Sequence, residues 1–189
     1  ILDDSAILKN ICLQNSKSSG YFHKYSKNKL SSQSNLTSFI FPTGLKFNKL
    51  DLEINLEGER SECNLQSASF LNNNEHQEVK TRVNHLFPNC KSYQKVKKVL
   101  NAESKGVYQG KIFVKDVAQK TDAYQLSKAI LLSERSEFDS KPELEIYADD
   151  VKCSHGSTSG SLDKDSIYYL MTRGLSEKES IKLLVNGFL

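Results

Sequence analysis

Hydrophobic and polar residues alternate along the segment KLDLEINLEGE, and this pattern constrains the fold more than any other feature of the sequence. Leu50, Leu52 and Ile54 are separated there by charged residues. A period of two residues is typical of a strand with one buried face, because successive side chains point to opposite sides. KIFVKDVA (111–118) and LEIYADDVKC (144–153) follow a similar pattern. The sequence therefore predicts an all-β region.

Further short β-rich stretches recur along the chain: GYFHKYS, LTSFIF, CNLQSASFL, KVKKVL and AILLS. Polar turn residues separate them without any helical pattern, which is typical of a sandwich, a barrel or a stacked β-solenoid. The solenoid is favoured because hairpin dipeptides such as Asn-Gly are missing from this region. Serines that recur within strands also suit the inward stacking of like residues between rungs: Ser67, Ser69, Ser127 and Ser154. No clean repeat length is visible.

The pattern changes at Leu162, after which two helices are expected. Asp163 is placed to cap a helix through KDSIYYLMTR, and Gly174 is suited to the position just after it. Ser176 and Glu179 then form a capping box ahead of SIKLLVNGFL. The sequence predicts a β domain that ends in a helix pair, which either caps the solenoid or docks a partner.

Composition narrows the class of protein. A chain of 189 residues fits one domain and is long enough to bury a core without disulfides, so its four scattered cysteines are interpreted as free thiols in a reducing compartment. No apolar run could span a membrane, and no signal peptide is visible. A net charge of +3 is too small to indicate nucleic-acid binding, and KVKK (95–98) is interpreted as a solvated strand face. The chain begins at Ile1 and stops inside a helix at Leu189, so we interpret it as a fragment of a longer protein.

The sequence gives weak support for two kinds of enzyme. GVYQGKI (106–112) resembles a phosphate-binding loop, but its spacing is one residue short and Ile112 stands where a hydroxyl residue would hold Mg²⁺, so a turn between strands is predicted. A β-solenoid carbohydrate-active enzyme is the alternative function. Such an enzyme would need clustered carboxylates and exposed aromatic residues on one face. Asp149 and Asp150 do not form such a pair, because adjacent strand residues face opposite sides, and the chain contains no tryptophan.

Cys153 and His155 are the strongest candidates for a functional site. With one residue between them on a strand, both side chains point to the same face, about 6–7 Å apart. That separation makes direct proton transfer awkward, whereas both side chains can reach one bound metal. Two ligands make at most half a zinc-type site, so the rest would come from elsewhere in the chain or from another subunit. A buried thiol and a hydrogen-bonded ring in an ordinary core remain the alternative.

PELEIYADDVKCSHGSTSG, followed by LDKDSIYYLMTRGLSEKES, resembles the C-terminal signature of the SufD branch of the SufB/SufD family, whose members are scaffolds of the Suf iron–sulfur cluster assembly system. The likeness continues upstream through residues 83–125 and covers nearly the whole chain. It implies a right-handed parallel β-helix core over residues 1–160. It also implies a truncated start of the C-terminal helical region over residues 161–189, and an N-terminal helical region that is absent here.

The same resemblance implies a scaffold without enzymatic activity. Members pair with the sister subunit SufB through the β-helix edge and bind the SufC ATPase through the C-terminal helices. The sister carries a cysteine near the position of Ser127, and glutamates in place of Cys153 and His155, so this chain follows the SufD pattern. The implied location is the cytoplasm, or the stroma in a plastid-bearing organism.

By resemblance, His155 and Cys153 are the metal-site residues. They are expected to hold transient iron or an iron–sulfur cluster shared with the partner subunit, and no cluster is expected on the isolated fragment. The isolated fragment is also expected to be able to pair with itself through the edge normally given to SufB.

Overall fold

The computed structural model describes residues 1–15 and 19–189, with eleven strands followed by two helices. The predicted class, all-β with C-terminal helices, is confirmed. The bounds of the elements are β1 Ile7–Asn15, β2 Tyr21–Leu30, β3 Asn35–Thr43, β4 Phe47–Leu56, β5 Glu62–Leu71, β6 His76–His85, β7 Lys91–Leu100, β8 Lys105–Val114, β9 Thr121–Leu131, β10 Glu137–Ile146, β11 Val151–Gly160, α1 Lys164–Thr172 and α2 Glu177–Phe188.

Successive strands alternate between two sheets, as in a parallel β-solenoid. The first sheet has six strands in the order β1-β3-β5-β7-β9-β11, and the second has five in the order β10-β8-β6-β4-β2. Every neighbouring pair within a sheet is parallel. The predicted solenoid is confirmed, and its parallel pairing explains why the hairpin dipeptides are missing.

The rungs of the solenoid have unequal lengths. Residues at the start of each strand of the first sheet lie side by side at intervals of 28, 27, 29, 31 and 30 residues: Ile7, Asn35, Glu62, Lys91, Asp122 and Lys152. A repeat whose length varies in this way leaves no fixed period in the sequence, which is why none was visible.

The turns that lead into the first sheet share one conformation. Ser34, Ser61 and Thr121 each donate a side-chain hydrogen bond to the carbonyl three residues earlier, at 2.7 to 2.9 Å. The residue just before each of them has a left-handed backbone, as does the equivalent residue before Cys90. These residues, with φ of 59 to 60°, are Gln33, Arg60, Asn89 and Lys120. The corners therefore share one backbone conformation, although the residue types at equivalent positions mostly differ.

Ala102 occupies a left-handed turn in the β7–β8 connection, with φ of 55°. This conformation costs a residue with a Cβ about 1–2 kcal/mol, which glycine does not pay. Ala102→Gly is expected to raise the free energy of unfolding by about 0.5–1 kcal/mol, measured by urea denaturation. Ala118→Gly is the matched control, because Ala118 is fully buried and packs in the core, so this variant should lose stability. A loss at Ala102 as well would contradict the expectation.

Alternate residues of each strand face the space between the two sheets. Leu50, Leu52, Ile54 and Leu56 are all buried, as their spacing predicts. Serines also line this interior, as expected for Ser67, Ser69 and Ser127, each at most 4% exposed. The expectation was wrong for Ser154, which is exposed on the outer side of β11.

One lysine of the KVKK segment lies inside the solenoid, so the interpretation of the whole segment as a solvated face was wrong. Lys98 is completely buried, and its Nζ donates to Oε1 of Gln77. The same oxygen accepts from Oγ of Ser69 at 2.7 Å. Burial lowers the pKa of Lys98 to about 7. The period of two explains the placement, since Lys98 and Val96 share the inner side whereas Lys95 is exposed.

GVYQGKI lies within strand β8, so the predicted turn at this segment was wrong. Its two glycines face the interior, where they leave room for other side chains. A Cβ on Gly106 would lie 2.9 Å from Cδ of Lys98, and a Cβ on Gly110 would collide with the hydroxyl of Tyr108. These glycines therefore serve the packing of the core, as glycines within strands often do.

Two segments predicted as strands contain turns. In residues 144–153, β10 ends at Ile146 and β11 begins at Val151, so Asp149 and Asp150 lie in a bend. In residues 111–118, β8 ends at Val114. Apolar residues resume within two or three positions after each corner, so the pattern alone did not locate the corners.

The two C-terminal helices begin and end as predicted. Asp163 caps α1 by accepting from the backbone N–H groups of residues 165 and 166, and Gly174 follows the helix with φ of 95°. Ser176 and Glu179 form the predicted capping box of α2. Among the residues that the structure describes, no helix is long and apolar enough to cross a membrane.

Candidate functional site

The solenoid ends in two strands that each have only one neighbour. β11 pairs with β9, and β10 pairs with β8. The outer backbone edge of each strand is therefore free of strand partners within the described part of the chain. The inner side of this last rung is open at the end of the solenoid.

Cys153 and His155 lie on the inner side of β11. They stand beside Ala123 and Gln125 of β9, which are both buried in the interior. Cys153 is half-buried and His155 is exposed. The predicted sharing of one face is confirmed, and that face is the open end of the solenoid interior.

The thiol of Cys153 packs against an apolar cluster that includes Ile112, Ala123 and Val151. This burial raises its pKa, and the negative charge of Asp122 raises it further. The thiol is therefore protonated at neutral pH. A metal that binds it must displace this proton, so binding should strengthen as pH rises.

A buried polar network supports the strand beneath His155. Nε2 of Gln125 donates to the carbonyl of Gly110 at 3.3 Å, and its Oε1 accepts from the hydroxyl of Tyr108 at 3.4 Å. The Tyr108 hydroxyl also lies 3.3 Å from Oγ1 of Thr81. Because Gln125 is fixed from two directions, the rung under His155 is held in place.

A row of hydroxyl groups continues the inner side of β11 beyond His155. Oγ of Ser127 lies 2.9 Å from Oγ of Ser157 and 2.8 Å from Oγ of Ser140. Ser127 was expected to face inward, but Ser140 and Ser157 were missed. Ser157 follows His155 by two residues, so the period of two could have located it, whereas Ser140 needs the register between the sheets.

The described residues contain no group of three or more His, Cys, Asp or Glu side chains that could hold a metal ion. Cys153 and His155 thus remain at most half of a ligand set. All four cysteines are free thiols, as predicted, and Cys63 and Cys90 are buried elsewhere in the core. Burial raises the pKa of Cys63 to about 12, which makes it a poor ligand.

The end of α2 contacts the outer side of the first sheet. Nζ of Lys97 donates to the carbonyl of Phe188 and lies 5.1 Å from the centre of its ring. Val99, which faces outward two residues later, is completely buried. α1 instead presents exposed aromatic residues, with Tyr168 70% and Tyr169 56% exposed.

These features define a class of protein, a parallel β-solenoid that ends in a helix pair. Its open end carries a thiol and an imidazole, and the described residues do not complete a metal site there. Residues 1–188 match the family model described as SUF system FeS cluster assembly, SufBD core domain. The chain belongs to this family of iron–sulfur cluster assembly proteins and is a homologue of SufD.

The relatives point to the same family. The chain is 36% identical to iron–sulfur cluster assembly protein SufD of Escherichia coli over 133 residues, 70% of this chain and 31% of that protein. It is 30% identical to a SufBD family protein of Synechocystis over 77% of this chain and 32% of that protein. It is 37% identical to the chloroplastic protein ABCI7 of Arabidopsis thaliana over 48% of this chain and 19% of that protein. The matched part is therefore about a third or less of the length of these relatives.

Proposed function

We propose that this chain is a non-catalytic scaffold subunit for iron–sulfur cluster assembly, in which Cys153 and His155 supply half of a ligand set for iron or a nascent cluster. The observation that carries the proposal is their joint position on the open inner side of an edge strand, in a member of the SufBD family. Thiolates hold iron–sulfur clusters, and imidazole can replace a thiolate on one iron.

The other half of the ligand set would come from a partner subunit that adds its own strands to the free edges of β10 and β11. A SufB homologue is the proposed partner, since the chain follows the SufD pattern of the family. Free strand edges are ready templates for such pairing, and the isolated chain could use the same edges to pair with itself. The cluster is therefore a shared, transient cargo of the two subunits.

The C-terminal helices are proposed to bind the SufC-type ATPase. The exposed aromatic pair on α1, Tyr168 and Tyr169, supports a protein contact on this side, because aromatic residues are enriched in such interfaces. Movement of the ATPase would then change the contact between the two scaffold subunits and release the finished cluster.

Substitution of the two ligand candidates tests the proposal. His155→Ala and Cys153→Ser, co-expressed with SufB and SufC homologues and reconstituted anaerobically, are each expected to lower iron bound per complex about tenfold or more, because each removes a ligand. Iron and sulfide analysis measures the effect, and size-exclusion chromatography shows whether the complex still forms.

Ser154→Ala is the matched control, since Ser154 lies between the two candidates but is exposed on the outer side of the same strand. It should leave iron content unchanged. Normal iron content in His155→Ala would refute the site. Failure of the ATPase to co-purify with the complex would refute the helix contact, separately from the metal site.

A further inference from the structure

The outer faces of the two sheets differ in how their charges are balanced. The outer face of the second sheet carries a series of cross-strand and same-strand ion pairs between lysines and carboxylates: Lys27–Glu53, Lys49–Glu78, Lys105–Glu137, Lys111–Glu145 and Lys141–Glu143. Such a balanced ladder of charges is suited to contact with water. It leaves little net charge to attract a charged partner, although Tyr21 and Tyr25 are exposed on the same face.

The outer face of the first sheet has a group of lysines without ion-pair partners among the described residues. Lys97 stands directly beside Lys128 on the next strand, and Lys95 is on the same side of β7, two residues away. Like charges placed side by side on a sheet repel each other. Burial and the charges of Lys95 and Lys128 together lower the pKa of Lys97. The only ion pair found on this face of the described sheet joins Lys91 and Glu62.

An apolar patch extends from this lysine group toward β1. Ile11 and Leu13 are 71% and 68% exposed on the outer side of β1, beside half-buried Phe39 and Phe41 of β3. Ile11, Phe39, Gln66 and Lys95 are paired in turn on neighbouring strands, so they form one row across the sheet. We call the whole surface the apolar–lysine face: Ile11, Leu13, Phe39, Phe41, Lys95, Lys97 and Lys128.

The end of α2 touches this surface. Phe188, the last residue of α2, contacts Lys97 through its carbonyl and its ring. From Leu13 on β1 to Lys128 on β9 the face spans four inter-strand steps, about 19 Å in all. A helix of about thirteen residues is long enough to cover this distance.

We propose that the apolar–lysine face docks an amphipathic helix of a partner protein, with apolar side chains against Ile11 to Phe41 and carboxylates against Lys95 and Lys128, since Lys97 already contacts Phe188 of α2. The proposal rests on charge complementarity, because carboxylates would relieve the repulsion within the lysine group. It also rests on the exposed side chains of Ile11 and Leu13 on the same face, since contiguous exposed apolar side chains mark interaction sites. The face is separate from the free edge of β11 and from the exposed side of α1.

A designed peptide probes this surface directly. The probe is a helix of about 18 residues with a leucine stripe, glutamates along one flank and a single tryptophan, which supplies the fluorescence signal because the protein has no tryptophan. A second peptide carries lysines in place of the glutamates. The protein is expected to bind the acidic peptide at least about tenfold more tightly than the basic one, with the affinity falling as salt rises.

Variants locate the binding site. Lys95→Glu/Lys128→Glu and Leu13→Ser should each weaken binding of the acidic peptide about tenfold. Lys80→Glu/Arg82→Glu is the matched control, because it makes the same charge change on the outer face of the second sheet, where neither residue has an ion pair among those found. This control should bind like the unaltered protein, apart from a small long-range charge effect.

Three outcomes would overturn the proposal. The first is equal binding of the acidic and basic peptides. The second is unchanged binding by Lys95→Glu/Lys128→Glu and by Leu13→Ser, which would place the peptide on another surface. The third is a dimer in sedimentation experiments that Leu13→Ser dissociates, which would assign the face to a second copy of the chain.

Discussion

Lys98→Met is expected to raise the free energy of unfolding by about 4 kcal/mol at pH 6. The charged ammonium is unfavourable in the core, and burial lowers the pKa of Lys98 from 10.5 to about 7. Methionine has a similar length and needs no hydrogen bond. The loss of the bond to Gln77 is small, because Oε1 of Gln77 still accepts from Ser69.

The effect depends on pH with a definite sign. Between about pH 7 and 10.5 the unfolded chain keeps the Lys98 proton while the folded chain has released it, so the stability of the native protein rises with pH across this window. Below about pH 7 the full cost of burying the charge is present. The advantage of Lys98→Met should therefore shrink by about 2 kcal/mol between pH 7 and pH 8.5.

Urea denaturation at several pH values measures this difference between the two proteins. Comparing the two proteins cancels the titration of other groups, including Cys63, whose raised pKa lowers stability above about pH 9. Lys95→Met is the matched control on the same strand, since Lys95 is exposed and should change stability by less than about 0.5 kcal/mol. If the curves of the protein and of Lys98→Met run parallel from pH 6 to 8.5, a buried titrating lysine is ruled out.

The elements of this fold could be predicted where local physics decides them. The alternation of apolar and polar residues from Leu50 to Leu56 predicts a strand with one buried face. This prediction requires no information beyond the sequence. The caps at Asp163 and Ser176 satisfy backbone groups within a few residues, so their side chains also identify the helix starts.

The solenoid repeat could not be predicted because its corners are defined by backbone conformation. The left-handed position is filled by glutamine, arginine, asparagine and lysine in successive rungs, and of these residue types only asparagine favours such a conformation. The rungs also differ in length, so the sequence has no fixed repeat period that could be detected. Lys98 was missed for a different reason: the period of two places it on the side of Val96, but a lysine was expected to face water.

The candidate site was partly visible in the sequence. The spacing of Cys153 and His155 predicts one shared face, and the structure puts that face at the open end of the solenoid. Their hydroxyl neighbours depend on pairing between residues up to thirty positions apart, such as Ser127 and Ser157. The proposed remaining ligands belong to another chain, and no property of this sequence can list them.

Gly58→Ala is expected to be the most damaging small substitution in the solenoid. Gly58 is buried where the β4–β5 corner crosses the preceding corner, and an added Cβ would lie 2.6 Å from Cα of Ser32 and still closer to its backbone nitrogen. The backbone of Ser32 cannot rotate away from the new Cβ as a side chain could. The corner that contains Gly58 and the corner that contains Ser32 would therefore have to move apart. The free energy of unfolding should fall by about 3 kcal/mol or more.

The loss should extend beyond steric strain because the Gly58 carbonyl accepts hydrogen bonds from Oγ of Ser61 at 2.9 Å and from Sγ of Cys90 at 3.2 Å. A shift of this corner would weaken both bonds and so disturb the next rung. Gly160→Ala is the matched control: it also adds one methyl group, but nothing lies within 4 Å of the new Cβ. Urea denaturation should find Gly160→Ala within about 0.5 kcal/mol of the unaltered protein. Equal stability of the two variants would show that the corners of the solenoid can separate without cost, contrary to the close packing on which this fold depends.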